Sequence, residues 1–536
     1  MSQIFDGRNE HSDDSKGIRL LKKSKKGLIH MLFSRFGIIV LLLLMQIAAL
    51  LVLIYRFQSY TPIVALLSVV FSLVMVFYIF NKSSMDASSK MTWLLVIMLF
   101  QFFGALLFFY TRMDFGHRRL KENVAIRIEA SKGAIEQDED AFKLLEKEDV
   151  NSASLVRYIN RTGCYPVYND SEVTYFPSGE AKFSAILEEL KKAEKFIFLE
   201  YFIIDEGIMW GKILEILAEK AKEGVDVRVM YDGTCEMSLL PHNYPKKLME
   251  LGIKCKVFAP MRAFVSTHYN YRDHRKIFVI DGKTAFNGGV NLADEYINEI
   301  NRFGYWKDTA VMVKGSAVRS YTLMFLQLWN LGEGEMDLST VNLSCEDRGK
   351  GAENYGYVLP YADCPLDGER VGESVYIDIL YRAKRYVHIM SPYLILDGEL
   401  ETALKFAAER GVDVKLILPG VPDKKVAYAL AKSHYEALTE AGVKIYEFEP
   451  GFVHAKVFVS DDKRAVVGTI NLDYRSLYHH FECATYMYKA PCIGEIEEDF
   501  QQTLKECRPV TKESIKNEKL YYKIVGRIVK LLAPLL

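Results

Sequence analysis

The sequence has few cysteines, and none of them cluster. All eight, at positions 164, 235, 255, 345, 364, 483, 492 and 507, stand apart, without a CxxC pair or a Cys/His spacing suited to a metal. Disulfide frameworks belong to short secreted chains that lack large cores, and structural zinc needs grouped ligands. Neither fits this chain. Net charge is lacking too: 68 basic residues against 69 acidic ones leave −1. That balance names no partner, so charge must be read by region. Disorder is excluded, because half of the residues are hydrophobic and the mean hydropathy is +0.02. The same figure argues against an ordinary soluble enzyme.

What is present begins with apolar runs. Residues 37–55, 61–80 and 91–111 carry no charge. Each can span a hydrocarbon core of about 30 Å at about 1.5 Å per residue. Such runs joined by short polar connections rarely occur in soluble cores. The first run is too long for a signal peptide, and no small-residue cleavage site follows it. Three transmembrane helices are expected after a basic tail, 1–36. Their orientation is contested. Residues 15–36 hold seven Lys/Arg and no acid, yet Arg112, Arg118, Arg119 and Lys121 follow the third run. Both clusters favour the cytoplasm, and three full crossings cannot satisfy both.

At roughly 150 residues per domain, the length suggests three to four units. After a polar connector (112–160) the pattern becomes β/α alternation. Strand-like runs are Phe196–Ile204, Val225–Tyr231, Ile277–Ile280 and Ala310–Val313, with helical patterns at 180–194 and 211–223. They recur as Val387–Leu396, Val412–Leu418, Val457–Val459 and Ala465–Val467. AKEGVDVRVMYDG (221–233) matches AERGVDVKLILPG (408–420), and LGIKCKVFAP (251–260) matches AGVKIYEFEP (441–450). A repeat of this length predicts two tandem α/β domains, 161–340 and 341–510, packed with pseudo-twofold symmetry.

The chemistry sits at equivalent points of the repeat. HRKIFVIDGKTAFNGGVN holds His274, Lys276, Asp281, Gly288, Gly289 and Asn291; HAKVFVSDDKRAVVGTIN holds His454, Lys456, Asp461, Gly468, Thr469 and Asn471. Both read H-x-K-x4-D-x6-G-(G/T)-x-N, and a doubled pattern inside a repeat is not a chance match. His and Lys two apart on a strand share a face. Lys supplies a point charge for a phosphate oxygen, and Asn can donate an amide N–H beside small residues that admit close approach. Two such sets around one phosphorus suit displacement at a phosphodiester without a metal. One His attacks; the other donates a proton to the leaving oxygen and accepts one from the incoming alcohol. The candidate catalytic set is therefore His274, Lys276, Asp281, His454, Lys456 and Asp461, with Asn291 and Asn471 as phosphate-binding candidates.

The doubled motif resembles the phospholipase D superfamily, and LEYFIIDEG (199–207), NYRDHRKIFVIDG (270–282), WKDTAVMVKGSAV (306–318), SPYLILDG (391–398), PGFVHAKVFVSDD (450–462), GTINLDYRSL (468–477), Phe481-Glu482 and the C-terminal LLAPLL look like bacterial cardiolipin synthases. The resemblance covers about 61–536 and implies two tandem phospholipase D-like domains with mixed sheets flanked by helices. It also implies transfer of a phosphatidyl group between two phosphatidylglycerols, through a phosphohistidine, with release of glycerol. By it His274 is the nucleophile and His454 the general acid/base, an order that can be reversed. Asp308 and Glu482 are the acids that orient His274 and His454, while Asp281 and Asp461 look more structural than catalytic. No cofactor or metal is implied. The expected setting is a bacterial cell membrane, multi-pass, with phosphatidylglycerol as partner, no nucleic acid, and a homo-oligomer compatible with it.

Three departures stand out. The run 37–55 is extra. His479-His480 replaces a Leu-Asn pair and reads as surface or satisfied core, with headgroup contact the alternative. Gly289 stands where many members carry Ser or Thr, so a hydroxyl near the phosphate is expected to be missing from this half. His268 reads as a loop residue, Tyr201 and Tyr393 as strand packing, and Trp306 and Trp329 as packing. At 511–536 an amphipathic helix is expected. Leu520, Ile524, Val525, Ile528, Val529, Leu531 and Leu532 face one way and Lys516, Lys519, Lys523, Arg527 and Lys530 the other, which suits an anionic membrane surface. Alternative functions are a hydrolase, a transferase with another alcohol acceptor, a membrane-bound nuclease and a non-catalytic scaffold. The absence of a dense basic stripe beside the motifs counts against the nuclease.

Overall fold

The computed structural model describes residues 17–21, 48, 61–82, 85, 87–112, 115–260, 271–333, 338, 341 and 355–533. The run 37–55 (apart from position 48), most of the basic tail and His268 lie outside the described residues. The chain divides into two bodies. One holds Met1–Leu21, Lys121–Met261 and Asn270–Gly526; the other holds Lys22–Leu120, Arg262–Tyr269 and Arg527–Leu536.

In the smaller body, helices Thr61–Phe80 and Ala87–Arg112 form a hairpin around buried Met75, Ile79, Trp93, Ile97 and Phe108. The Trp93 and Phe108 rings meet edge to face at 5.1 Å. Asn81 closes the first helix by donating Nδ2 to the Phe77 carbonyl (2.9 Å), one of the last-turn carbonyls that a helix leaves unpaired. Leu66, Leu73, Phe77, Phe80, Met98 and Leu99 point outward and are exposed. The expectation of three membrane spans is not established by this body. Among the described residues, no helix is long and apolar enough to cross a membrane. The first helix is continuously described, side chains included, only over 66–80, and the second opens with the polar stretch Ala87–Lys90.

The larger body carries the repeat. Its first half supplies β1 (Glu172–Phe176), β2 (Phe196–Tyr201), β3 (Asp226–Asp232), β4 (Lys254–Phe258), β5 (Arg272–Asp273), β6 (Lys276–Ile280), β7 (Thr284–Gly288), β8 (Tyr305–Lys307) and β9 (Ala310–Lys314). The second half supplies β10 (Tyr357–Asp363), β11 (Tyr386–Met390), β12 (Asp413–Pro419), β13 (Lys444–Phe448), β14 (Gly451–Val453), β15 (Val457–Ser460), β16 (Arg464–Gly468), β17 (His480–Tyr488) and β18 (Cys507–Pro509). The first sheet runs β1-β9-β7-β6-β2-β3-β4, and the second runs β10-β17-β16-β15-β11-β12-β13 with β18 added at its edge. The order is the same in both. Each sheet is mixed: β2, β3 and β4 are parallel, as are β11, β12 and β13, while the motif-bearing β6 and β15 run antiparallel to β2 and β11.

Burial explains the strand sequences. β2 and β6 are buried on both faces and read as apolar runs broken only by Glu200 and Lys276, as covered strands do. The helix Val318–Trp329 is buried at every position, and it packs against β2, β6 and β7 of one half and β10 of the other. Its buried polar groups are paired there, Ser320 with Tyr168, Gln327 with Tyr165 and Thr322 with the Val318 carbonyl.

Three sequence expectations are revised. The connector is not merely polar linkage. Helices Glu139–Glu148 and Val150–Gly163 occupy it, capped by Asp138 and Asp149, and Asp149 also pairs with Arg464. The C-terminal segment is not one helix but two, Lys512–Lys516 and Leu520–Lys530. And part of the basic tail is packed. Glu206 accepts the backbone N–H groups of Leu20 (2.9 Å) and Leu21 (2.8 Å), Lys247 Nζ donates to the Leu20 carbonyl (2.6 Å), and Ile18, Leu20 and Leu21 lie on the first domain's core.

Candidate active site

Two short strand exchanges build the site. β5, just before His274, pairs with the start of β17 in the other half, Arg272 beside His480 and Asp273 beside Phe481. β14, just before His454, pairs with β8, ending with Val453 beside Lys307. The ladders continue through the motif: His274 N–H donates to the Phe481 carbonyl (2.9 Å) and His454 N–H to the Lys307 carbonyl (2.7 Å). Each motif histidine is thereby set one residue from an acid of the opposite half.

The acids are exchanged relative to the sequence expectation. Glu482, not Asp308, holds His274, with both carboxylate oxygens 2.9 Å from Nδ1. Asp308, not Glu482, holds His454, with Oδ2 2.6 Å from Nδ1. The physical reason is the register of the β5–β17 and β14–β8 pairs, which no local spacing encodes. Both acids are fully buried.

Lysines complete the set. Lys276 Nζ donates to the His274 carbonyl at 2.7 Å, and Lys456 Nζ does the same to His454. Lys456 Nζ also lies 3.0 Å from His454 Nδ1. The shorter Asp308 contact places a proton on Nδ1, so that lysine approach is not a hydrogen bond, and Nε2 keeps its lone pair. Burial pushes Lys276 down to about 8 and Lys456 down to about 7. Burial also lowers His274 well below its usual value, helped by Lys276 and Lys456, and takes His454 to about 4 against the pull of Asp308. The crossed pairs, His274 with Glu482 and His454 with Asp308, bring the two motifs together between the halves. Burial opposes the Asp308 charge, but His454 and Lys456 outweigh it and hold this carboxyl low; burial raises Glu482 well above the carboxylate range.

The remaining candidates divide. Asp281 accepts the N–H groups of Glu194, Lys195 and Phe196, and Asp461 those of Lys384, Arg385 and Tyr386. Both carboxylates fix the entry to β2 and β11, the kind of contact the structural reading of these two aspartates expects. Both sit at positive φ, 52° and 57°, a conformation Asp tolerates in turns. Asn291 spends its amide on the Tyr296 hydroxyl (2.7 Å) and its oxygen on Ile203 N–H (3.1 Å), so one amide hydrogen remains for a ligand. Asn471 is buried with Oδ1 unpartnered among the described residues.

Gly289 explains itself differently from expectation. A Cβ there would lie 2.1 Å from Asp308 Oδ1. Its counterpart Thr469 donates Oγ1 to Glu482. The hydroxyl that this half lacks braces the orienting acid of the other half. Trp306 is more than packing: with Tyr296 and Phe452 it walls His454, ring to ring at 5.3, 5.4 and 6.0 Å. Sequence reasoning missed Lys182, which is fully buried, donates to Tyr201 Oη (3.3 Å) and is pushed by burial to about 7. It also misplaced His480, which is buried 5.3 Å from the His274 ring. The strand period was the available signal, since His480 and Glu482 are two apart. His274, His480 and Glu482 present possible ligand atoms within 4.8 Å of one another, as do Glu373, Asp397 and Glu399.

A duplicated mixed-sheet fold whose halves trade the acids that hold paired histidines defines a phospholipase D-like enzyme. Residues 186–329 and 376–504 match the family described as cardiolipin synthase, PLD-like domain, and residues 63–112 match the phospholipase D-nuclease N-terminal family. A cardiolipin synthase of Alkalihalophilus pseudofirmus is 36% identical over 488 residues, 88% of this chain and 94% of its own. An uncharacterised protein of Streptococcus mutans is 57% identical over 467 residues, 86% of this chain and 99% of its own. The chain belongs to the cardiolipin synthase family of the phospholipase D superfamily. Among solved structures, a phosphatidylserine synthase of Haemophilus influenzae shares the fold at 16% identity, with a TM-score of 0.52, covering 72% of this chain and all of its own.

Proposed function

We propose that this enzyme makes cardiolipin from two phosphatidylglycerols. The observation that carries the reading is the reciprocal site: two imidazoles, each held by a buried acid of the other half and each flanked by a lysine. His274 Nε2 attacks phosphorus of the first lipid, and the bond to glycerol breaks as His454 gives the departing oxygen a proton. His454 then takes the proton from a hydroxyl of the second lipid, whose oxygen displaces His274 from phosphorus. Atoms balance as one cardiolipin and one glycerol. Lys276 and Lys456, with the free amide hydrogens of Asn291 and Asn471, carry the charge of the non-bridging oxygens. His454 at about 4 is largely neutral before substrate arrives. A phosphodiester anion beside both lysines offsets their repulsion and lets the proton enter with the lipid.

A bilayer setting fits the exposed surfaces. The hairpin Thr61–Phe80/Ala87–Arg112 turns Leu66, Leu73, Phe77 and Leu99 outward, and the helix Leu520–Lys530 exposes Leu520, Ile524 and Ile528. Lys519, Lys523, Arg527 and Lys530 supply cations for anionic headgroups. The protein is read as a multi-pass enzyme of a bacterial cell membrane.

Purified protein in mixed micelles with labelled phosphatidylglycerol as sole lipid tests this. Cardiolipin with about equimolar glycerol is expected. Phosphatidic acid alone would make water the acceptor, and no product would overturn the reading.

A further inference from the structure

His480 opens β17 two residues before Glu482, so both side chains leave the same face of the strand. Its ring centroid lies 5.3 Å from that of His274 and 6.3 Å from that of Phe202. It is 8% exposed, and neither Nδ1 nor Nε2 has a hydrogen-bond partner among the described residues. Its nearest acid is Glu482, with Oε1 3.7 Å from Nδ1, beyond a hydrogen bond. Thr469 and His274 already occupy that carboxylate. Burying two unpaired ring nitrogens costs free energy, and folding alone gives no return for it. The equivalent wall of His454 is built from Trp306, Tyr296 and Phe452 instead. The difference between the halves marks His480 as serving a ligand.

We propose that His480 forms a hydroxyl-binding subsite beside His274 that selects a polyol headgroup as the alcohol of the reaction. Burial, with Arg475, His479, Lys276 and Arg272 nearby, keeps this imidazole neutral. A neutral imidazole has one N–H to give and one lone pair to accept with. A hydroxyl matches both needs. A phosphate oxygen matches only the donor, and the phosphate already has two lysines. The hydroxyl held is one further along the polyol than the reacting oxygen, so a monohydric alcohol or water cannot use the subsite. The inference rests on the phosphatidyl-transfer reading above and names the group by which the acceptor is chosen.

The test is an internal competition. The enzyme is given unlabelled cardiolipin, with labelled glycerol and labelled ethanol together as acceptors, and the initial ratio of labelled phosphatidylglycerol to labelled phosphatidylethanol is measured. The phosphatidylglycerol that leaves when the phosphohistidine forms carries no label, and both labelled products come from that one intermediate, so the ratio does not depend on how much enzyme is folded. The wild type is expected to favour glycerol. His480→Leu should lower that preference by about tenfold or more, the factor a lost hydroxyl contact brings. It should melt no lower than wild type, because an unpaired polar group has been removed. His480→Asn, which keeps one donor and one acceptor, should retain most of the preference. A ratio unchanged within twofold in His480→Leu, or no glycerol preference in the wild type, would overturn the proposal. Failure of the parent reading looks different: phosphatidylglycerol alone would then yield no cardiolipin.

Discussion

Replacing Asp308 by Asn tests the exchanged acids directly. Asp308 Oδ1 accepts Thr309 N–H at 2.8 Å, and Oδ2 accepts His454 Nδ1–H at 2.6 Å. An Asn would keep its oxygen on Thr309 and so turn its NH2 toward His454. That donor faces Nδ1, drives the imidazole proton to Nε2 and removes the lone pair needed to accept a proton from the second lipid. Losing a charge-assisted bond costs roughly 1.5–3 kcal/mol, or about 10- to 150-fold in rate. The wrong tautomer takes the loss toward about 10⁴-fold, the scale known for an acid that orients a catalytic histidine. His274 and Glu482 are untouched, and with Nε2 protonated His454 keeps a donor for the departing glycerol but loses its acceptor, so the first transfer slows less than the second. Quenching in alkaline detergent, where the N–P bond survives, after mixing with labelled phosphatidylglycerol should find phosphohistidine accumulating on His274 in Asp308→Asn. Glu482→Gln should instead lose the phosphohistidine itself. The reasoning is refuted if Asp308→Asn turns over within tenfold of wild type, or if the two variants show the opposite pattern.

Four further outcomes are expected. The ammonium groups of Lys456 (about 7) and Lys276 (about 8) are intact at lower pH and lost as pH rises, so kcat/KM should fall above about pH 7–8. A bound anion raises both values, so kcat should fall only at higher pH; superimposable profiles would contradict this. Gly289→Ala should lose more than about hundredfold activity, since the new Cβ collides with Asp308 at 2.1 Å; Thr469→Val should lose less, about tenfold, by releasing Glu482, and both are read by steady-state assay. Asp281→Ala removes the acceptor of three backbone N–H groups and should cost about 2–4 kcal/mol in urea unfolding while kcat per folded molecule stays near wild type. Excess EDTA should leave turnover unchanged; loss restored by a divalent ion would show that metal handles the phosphate.

The sequence announced the fold where the information was local. The doubled H-x-K spacing located four of the reacting side chains because it recurs where the chain enters β6 and β15, at equivalent points of the repeat. The identities of Asp308 and Glu482 were legible by resemblance, but their partners were not. Which acid meets which histidine is decided by β5 pairing with β17 and β14 with β8, contacts between residues far apart in sequence. Gly289 misled for the same reason: its neighbour across the sheet is an acid, not the phosphate. His480 was hidden because a buried histidine usually has its partners. The period-two rule that paired His274 with Lys276 also pairs His480 with Glu482, and it was the clue to follow. In the C-terminal segment the amphipathic pattern concealed a break at 517–519, where the capped turn Lys512–Lys516 ends before the next helix starts.

The clasp of Glu206 on Leu20 and Leu21 has a consequence for the order in which the chain folds. The two backbone N–H groups find their acceptor 186 and 185 residues further on. They cannot be satisfied until the first domain has formed around Glu206, so this stretch of the basic tail docks last and reports on a finished domain.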